Sequence, residues 1–264
     1  MIKSLNFSIL NKMSLIFAKL YWADENRILQ KKDLINERIE CDIFINEKKL
    51  SDNFKLKKKN RVLYLFKKNY SDLNNMFEGC SYLTTIDLSN FNTKNVTDMS
   101  YMFYNCESLK KINLLNINTE NVKNMSGMFN NCKSLISLNL SYFNTDNVTN
   151  MIGMFSNCKL LGTINLFNFN TENVINMTGM FHNCRSLISI NLSSFNTKNV
   201  VNMNGMFYNC FSLTSLDLSS FNCNKIIFKS SMEKMFVGCK YLNLNNLKYK
   251  DEKIKNQFTF DVIL

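Results

Sequence analysis

The dipeptide Met-Phe begins at Met76, Met102, Met128, Met154, Met180 and Met206, a constant step of 26, and returns at Met235 after a step of 29. Four residues after each of these methionines stands a cysteine: Cys80, Cys106, Cys132, Cys158, Cys184, Cys210 and Cys239. The same step carries leucine columns at Leu83, Leu109, Leu135, Leu161, Leu187 and Leu213, and at Leu88, Leu114, Leu140, Leu166, Leu192 and Leu218. A phenylalanine column follows at Phe91, Phe143, Phe169, Phe195 and Phe221, with Ile117 as its exception. A unit this small cannot bury its own apolar residues, so it must stack on its neighbours, and the ends of the stack must be covered. The expected architecture is an α/β repeat solenoid over 71–244, with a basic N-terminal cap or lead-in over 1–70 and a C-terminal cap or tail over 245–264.

Within a unit the apolar period changes. Met99, Met102, Phe103 and Cys106 are spaced i, i+3, i+4 and i+7, which predicts one face of a short helix. Ile112 and Leu114 alternate about Asn113, which predicts a strand, and stacked units would bring these strands into a parallel ladder. The spacing of Val96 and Met99 leaves open whether they open the helix or form a second extended segment. The chain has no Pro and only seven Gly, so Asn, Thr and Ser must build the turns: Asn tolerates left-handed backbone, and all three hydrogen-bond nearby main chain.

At the N-terminal end, apolar runs at 39–46 and 62–66 flank the basic stretch 57–59 and predict a hairpin over the first unit. At the other end, three additional residues interrupt the step around Lys225 to Ser231, and the apolar alternation of Phe258, Phe260 and Val262 predicts a terminal strand or strand pair. Residues 1–70 hold 16 Lys/Arg against 8 Asp/Glu, so +8 of the net charge of +11 lies there. Such a segment attracts nucleic acid, anionic lipid or an acidic protein without choosing among them. No apolar run approaches the ~18 residues of a membrane-spanning helix. Lys12 and Lys19 interrupt the stretch 1–27 and no small-x-small cleavage site stands out, which favours an amphipathic capping helix over a signal peptide.

The run Asn95-Val96-Thr97-Asp98-Met99, with Met102-Phe103 and Cys106 to Leu114 and their counterparts in later units, resembles the BspA-type leucine-rich repeat surface proteins over residues 71 to 244. The resemblance implies a leucine-rich-repeat-like stack and a binding module, with surface display and adhesion as the associated roles. No lipid-attachment motif or wall anchor accompanies it, so cell surface and cytoplasm both stay open as locations.

Chemistry is sparse. The cysteine step offers no short-spaced pair for zinc, and parallel neighbours point the same way rather than toward one another, so the column reads as small buried thiols. The methionine column reads as packing. His182, the lone histidine, sits two residues from Cys184, but Cys184 belongs to the repeated column and nothing marks it as a nucleophile. Phosphate-loop and dinucleotide patterns are absent, and recurring N-x-S/T triplets such as Asn95 to Thr97 read as turn chemistry. The expectation is therefore no catalytic residue, no metal and no cofactor.

Strand alternation points one set of side chains outward: Thr85, Lys111, Ser137, Thr163, Ser189 and Ser215, then Asp87, Asn113, Asn139, Asn165, Asn191 and Asp217. This is the expected binding face, small and polar, with the edge at Tyr104, Tyr208 and Phe211 as its rival. The expected function is a noncatalytic protein-interaction or adhesion scaffold. The alternatives are nucleic-acid binding through the basic segment, or a structural part in an assembly.

Overall fold

The computed structural model describes residues 14–21, 30–50, 59–66 and 68–263. Lys57, Lys58 and most of the stretch 1–27, where a basic hairpin loop and an N-terminal helix or signal segment are expected, lie outside the described residues.

The molecule is built mostly of small strands. These are β1 (Ser14–Tyr21), β2 (Cys41–Ile45), β3 (Lys48–Lys49), β4 (Lys59–Phe66), β5 (Leu83–Asn90), β6 (Lys111–Asn113), β7 (Ser137–Asn139), β8 (Thr163–Asn165), β9 (Leu216–Leu218) and β10 (Leu247–Tyr249). Among the described residues the one α-helix is α1 (Glu252–Ile263). The order in the largest sheet is β3-β2-β4-β1-β5-β6, in which every pairing is antiparallel except that of β5 with β6. β7 with β8 and β9 with β10 form two further parallel pairs.

Successive units lie on one another through a repeated set of main-chain bonds. In one unit Met99, Tyr101, Phe103 and Asn105 donate to the carbonyls of Asn124, Ser126, Met128 and Asn130 in the next. Met102, Tyr104 and Cys106 instead donate three residues back within their own unit. This corrects the expected helix: an α-helix would send every N–H four residues back along its own chain, whereas here several N–H groups leave for the neighbouring unit. Tyr101 and Asn105 take φ of +55° and +60°, which no α-helix contains. Asn131, Asn157, Asn183 and Asn209 repeat the second of these positions at +63°, +59°, +59° and +56°, the left-handed geometry expected of Asn in a chain without Pro. The i, i+3, i+4, i+7 spacing is real, but two consecutive tight turns, not a helix, point those side chains inward.

The interior is a set of columns. Phe77, Phe103, Phe129, Phe155, Phe181, Phe207 and Phe236 stack with centroids 5.4 to 6.2 Å apart. Tyr64 of β4 closes this column edge-on at 5.5 Å, and Phe258 of α1 closes the other end at 5.3 Å. Every ring in the column is at most 1% exposed, so each contributes roughly 1.5–3 kcal/mol of apolar burial.

Both ends depart from expectation in instructive ways. Residues 14–21 form a strand rather than an amphipathic helix, because β1 fills the slot between β4 and β5 and buries Ile16 and Ala18, two residues apart as a strand requires. β2 and β4 do pair antiparallel as the expected hairpin, yet it is β1 that pairs with β5 of the first unit. At the far end, 252–263 is helical and not a strand pair; Asp261 Oδ2 accepts the Phe236 N–H at 2.9 Å. That contact stands where Met235 O serves the Phe207 N–H at 3.0 Å one unit earlier. Asp251 Oδ2 likewise accepts the Cys223 N–H, and Lys253 Nζ donates to the Cys223 and Ile226 carbonyls. Asp261 thus supplies the acceptor that an eighth unit would have supplied through its main chain, and Asp251 and Lys253 serve further main-chain groups of the last unit.

Candidate functional site: the outward strand face

From the second unit onward the expected binding residues are all exposed: Lys111, Asn113, Ser137, Asn139, Thr163, Asn165, Ser189, Asn191, Ser215 and Asp217. Thr85 and Asp87 are half-covered, because β5 pairs with β1 on one side and with β6 on the other. Thr85, Lys111, Ser137, Thr163, Ser189 and Ser215 form one column, and the registers Thr85 to Lys111 and Ser137 to Thr163 are those of directly paired strands.

The two columns differ in what they are free to do. Each residue of the acid/amide column accepts the main-chain N–H two residues on through its own Oδ1: Asp87 from Ser89, Asn113 from Leu115, Asn139 from Ser141, Asn165 from Phe167, Asn191 from Ser193 and Asp217 from Ser219, at 2.9 to 3.1 Å. These are side-chain turns: Asn113, Asn139 and Asn165 close β6, β7 and β8, Asp87 and Asp217 lie within β5 and β9, and Ser189 and Asn191 lie in a unit without the expected strand. Half of every side chain in the column is thus committed to the fold. The Asn113 amide also donates to Asp87 at 3.0 Å. Burial pulls the Asp87 carboxyl up, but the hydrogen bonds from Ser89 and Asn113 outweigh it and leave its pKa below the ordinary value. Hydrogen bonds from the Ser89-equivalent Ser219, main chain and then hydroxyl, lower Asp217, with Lys248 and Lys250 adding to the effect. By contrast Lys111, Ser137, Thr163, Ser189 and Ser215 make no side-chain hydrogen bond among the described residues and are available to a partner.

The face is less polar than its strand residues alone imply. Beside the free column stand Ile136 and Ile188, 59% and 57% exposed, with Gly162 between them in the intervening unit, and Phe167 is 67% exposed two residues beyond Asn165. These positions vary from unit to unit, and a large apolar side chain in a variable column was the available signal for them. A depression of about 570 Å³ opens where β4 and β1 meet the first units, lined by Arg61, Thr85, Asp87, Lys111 and Asn113. A second, of about 530 Å³, lies toward the other end, lined by Ser189, Asn191, Ser193, Asp217 and Lys250.

The column cysteines and the histidine are engaged in packing and hydrogen bonding. The thiols of Cys106, Cys132, Cys158, Cys184, Cys210 and Cys239 donate to the Phe carbonyl of the preceding unit at 3.0 to 3.2 Å. Burial pushes the Cys158 thiol up to about 12. His182 stacks on Tyr208 with centroids 4.7 Å apart, and burial lowers its pKa. Cys184, its neighbour in sequence, is fully buried with its thiol on Phe155 O. Among the described residues no group of three His, Cys, Asp or Glu is placed to hold a metal ion. The rival edge is a turn and not a helix; there Tyr104 packs edge-on against Tyr101 and Phe211 against Tyr241. No described helix is long and apolar enough to cross a membrane.

The family model described as "Mycoplasma protein of unknown function, DUF285" matches residues 71–187 and again 162–260. The two matches overlap over 162–187, the length of one repeat step. No curated protein and no solved structure matches the chain.

Proposed function

The chain belongs to that DUF285 family, and from this premise we propose that it is a noncatalytic interaction scaffold: a leucine-rich-repeat-like solenoid related to the BspA-type repeat proteins, which binds a protein partner on its outward strand face. The observation that carries the reading is the division between the two outward columns. The acid/amide column is committed to side-chain turns, while Lys111, Ser137, Thr163, Ser189 and Ser215 stand exposed and unengaged beside the apolar Ile136, Phe167 and Ile188. Exposed apolar side chains gathered on one face mark an interaction site, and the unengaged polar groups beside them can serve as its polar rim. The Met-Phe, Cys, Leu and Phe columns in their order support the relationship to the BspA-type repeat, and the thiol-to-carbonyl bonds support a structural role for cysteine. Adhesion is the role the relationship suggests.

Nucleic-acid binding draws less support, because Arg38, Lys49 and Lys68 in the basic segment pair with Asp72, Asp42 and Glu40.

The test places a photoreactive side chain at Thr163 or, as a control off this face, at Lys123 in the full chain, and irradiates it in extract of its own cells. The expected result is a crosslink from 163 that unlabelled protein displaces and that a Ser137→Arg/Thr163→Arg/Ser189→Arg competitor does not. Equal crosslinking from 123, or displacement by the triple variant, would overturn the strand-face assignment.

A further inference from the structure

The step of 29 that breaks the repeat is localised by the main-chain ladder. Ile226 still donates to Cys223 as Val200 does to Thr197, whereas Met203 donates to Ser231 where its counterpart Met177 donates to Asn202, a reach three positions shorter. The three additional residues therefore lie between Ile226 and Ser231. They do not fold inward: Ile227 is 82% exposed and Phe228 71%, the two most exposed large apolar side chains among the described residues. Ile227 continues the exposed column of Ile175 and Val201, and Phe260 of α1 joins it across a hollow of about 390 Å³.

The rim of this patch is basic. Lys229 and Lys253 line the hollow, which has no acidic residue in its lining, and Lys229 Nζ lies 4.2 Å from the centre of the Phe260 ring. Lys253 Nζ is fixed there by the Cys223 and Ile226 carbonyls, while Lys248 and Lys250 lie toward the strand face beside Asp217 and do not belong to this rim. We propose that this insertion seats the protein on an anionic lipid surface, Ile227, Phe228 and Phe260 entering the interface while Lys229 and Lys253 at its rim face the lipid phosphates.

Two features favour lipid over a protein groove. Ile227 and Phe228 project from a loop beside lysines with no acidic residue in the hollow's lining, whereas Ile136, Phe167 and Ile188 stand among uncharged hydroxyls and amides on the strand face. The placement of Lys229 over Phe260 suits a headgroup layer, because a long side chain lays its methylenes along apolar surface and keeps its charge at the phosphates. An exposed apolar patch of this kind marks an interaction site and not ordinary surface, and interfacial binding draws on both buried apolar area and attraction to anionic lipid.

The experiment is co-sedimentation of the full chain with vesicles of phosphatidylcholine alone, or of phosphatidylcholine with phosphatidylglycerol. The expected result is partition onto the anionic vesicles, weakened by salt, with a loss on the order of 100-fold in the Ile227→Ser/Phe228→Ser variant. A Phe228→Trp variant should shift its emission to the blue on the same vesicles. Both positions are solvent-exposed, so a matching urea unfolding curve verifies that the double variant folds. A charge-neutral Thr163→Gln/Ser189→Gln variant should bind vesicles like the parent, which separates this surface from the strand face. Absence of partition, an unaltered partition in the double variant, or self-association that the double variant abolishes without any vesicle binding would each overturn the proposal.

Discussion

Replacing Thr145 by Val should destabilise the whole stack, because one hydroxyl joins two units in both directions. Thr145 is 1% exposed; its Oγ1 donates to Asn170 O at 2.8 Å and accepts the Asn170 N–H at 2.8 Å. Thr93, Thr119, Thr171 and Thr197 make the same pair of bonds to Asn118, Asn144, Asn196 and Asn222. Valine keeps the shape and removes both bonds, so the loss is polar: about 2 kcal/mol at roughly 1 kcal/mol net for each bond. Thr145→Ser keeps both bonds and gives up one buried methyl, about 1 kcal/mol. Urea unfolding followed by circular dichroism reads the two values, and amide exchange at Asn170 separates their causes, since only the valine frees that N–H. Thr197→Val should repeat the loss at another junction. If Thr145→Val were no more destabilising than Thr145→Ser, or left exchange at Asn170 unchanged, the hydroxyl would not be joining the units.

Burial raises the Asp261 carboxyl above its ordinary 3.8, against the hydrogen bonds from Phe236 and Gln257 that lower it. Because the folded form then holds its proton more tightly than the unfolded form, this group's contribution is present below pH 3.8 and is lost as pH rises through the raised folded pKa. Thermal melts across that window should show a pH-dependent decline that Asp261→Asn removes, while Asp261→Ala, which strips the Phe236 N–H of its acceptor, should cost about 1–3 kcal/mol. Gly79 and Gly238 take φ of +70° and +78°, but a Cβ at Gly79 meets nothing within 4 Å whereas one at Gly238 collides with Asn209. Gly79→Ala should therefore cost about 1 kcal/mol and Gly238→Ala measurably more, read from paired urea curves. In native protein at about pH 8 an alkylating reagent should modify Cys158 far more slowly than after denaturation, since its thiol is buried and pushed up to about 12; mass analysis showing rapid native labelling there would contradict the buried column.

The repeat step and the inward columns were legible because stacking converts sequence identity at a fixed step into spatial neighbours, as the Phe77 to Phe236 column shows. The helical reading fails because the inward spacing of Met99, Met102, Phe103 and Cys106 fits two structures, and the deciding residues are others. Gly127, Gly153, Gly179 and Gly205, four before Asn131, Asn157, Asn183 and Asn209, mark two left-handed positions per unit, a pattern that no helix tolerates. The exposed strand columns followed from alternation, but whether an exposed Asn is free or holds its own strand end depends on local backbone, as at Asn139 and Ser141. At the C-terminus, the apolar spacing of Phe258 and Phe260 favours a strand. The structure instead buries Ile254, Gln257, Phe258 and Asp261, spaced i, i+3, i+4 and i+7 as one face of a helix, and Asp251, Lys253 and Asp261 there meet main-chain groups of the last unit.

This division of labour bears on how a partner would read the strand face. Residues that join one unit to the next, such as Thr145, Cys158 and Asn173, recur along the stack and make the same bond in successive units. They can therefore carry no information about position along the stack. The positions that change lie among the exposed ones: Lys111 near one end, Ile136 and Ile188 about Gly162 with Phe167 in the middle, and Lys250 beside Asp217 near the other. A partner docked on the proposed face would gain little from the shared columns if shifted by one unit, but would lose its apolar anchors and misplace its charges. Register along the stack would then be set by those few variable side chains, so specificity could change by substitution at them without touching the bonds that hold the units together.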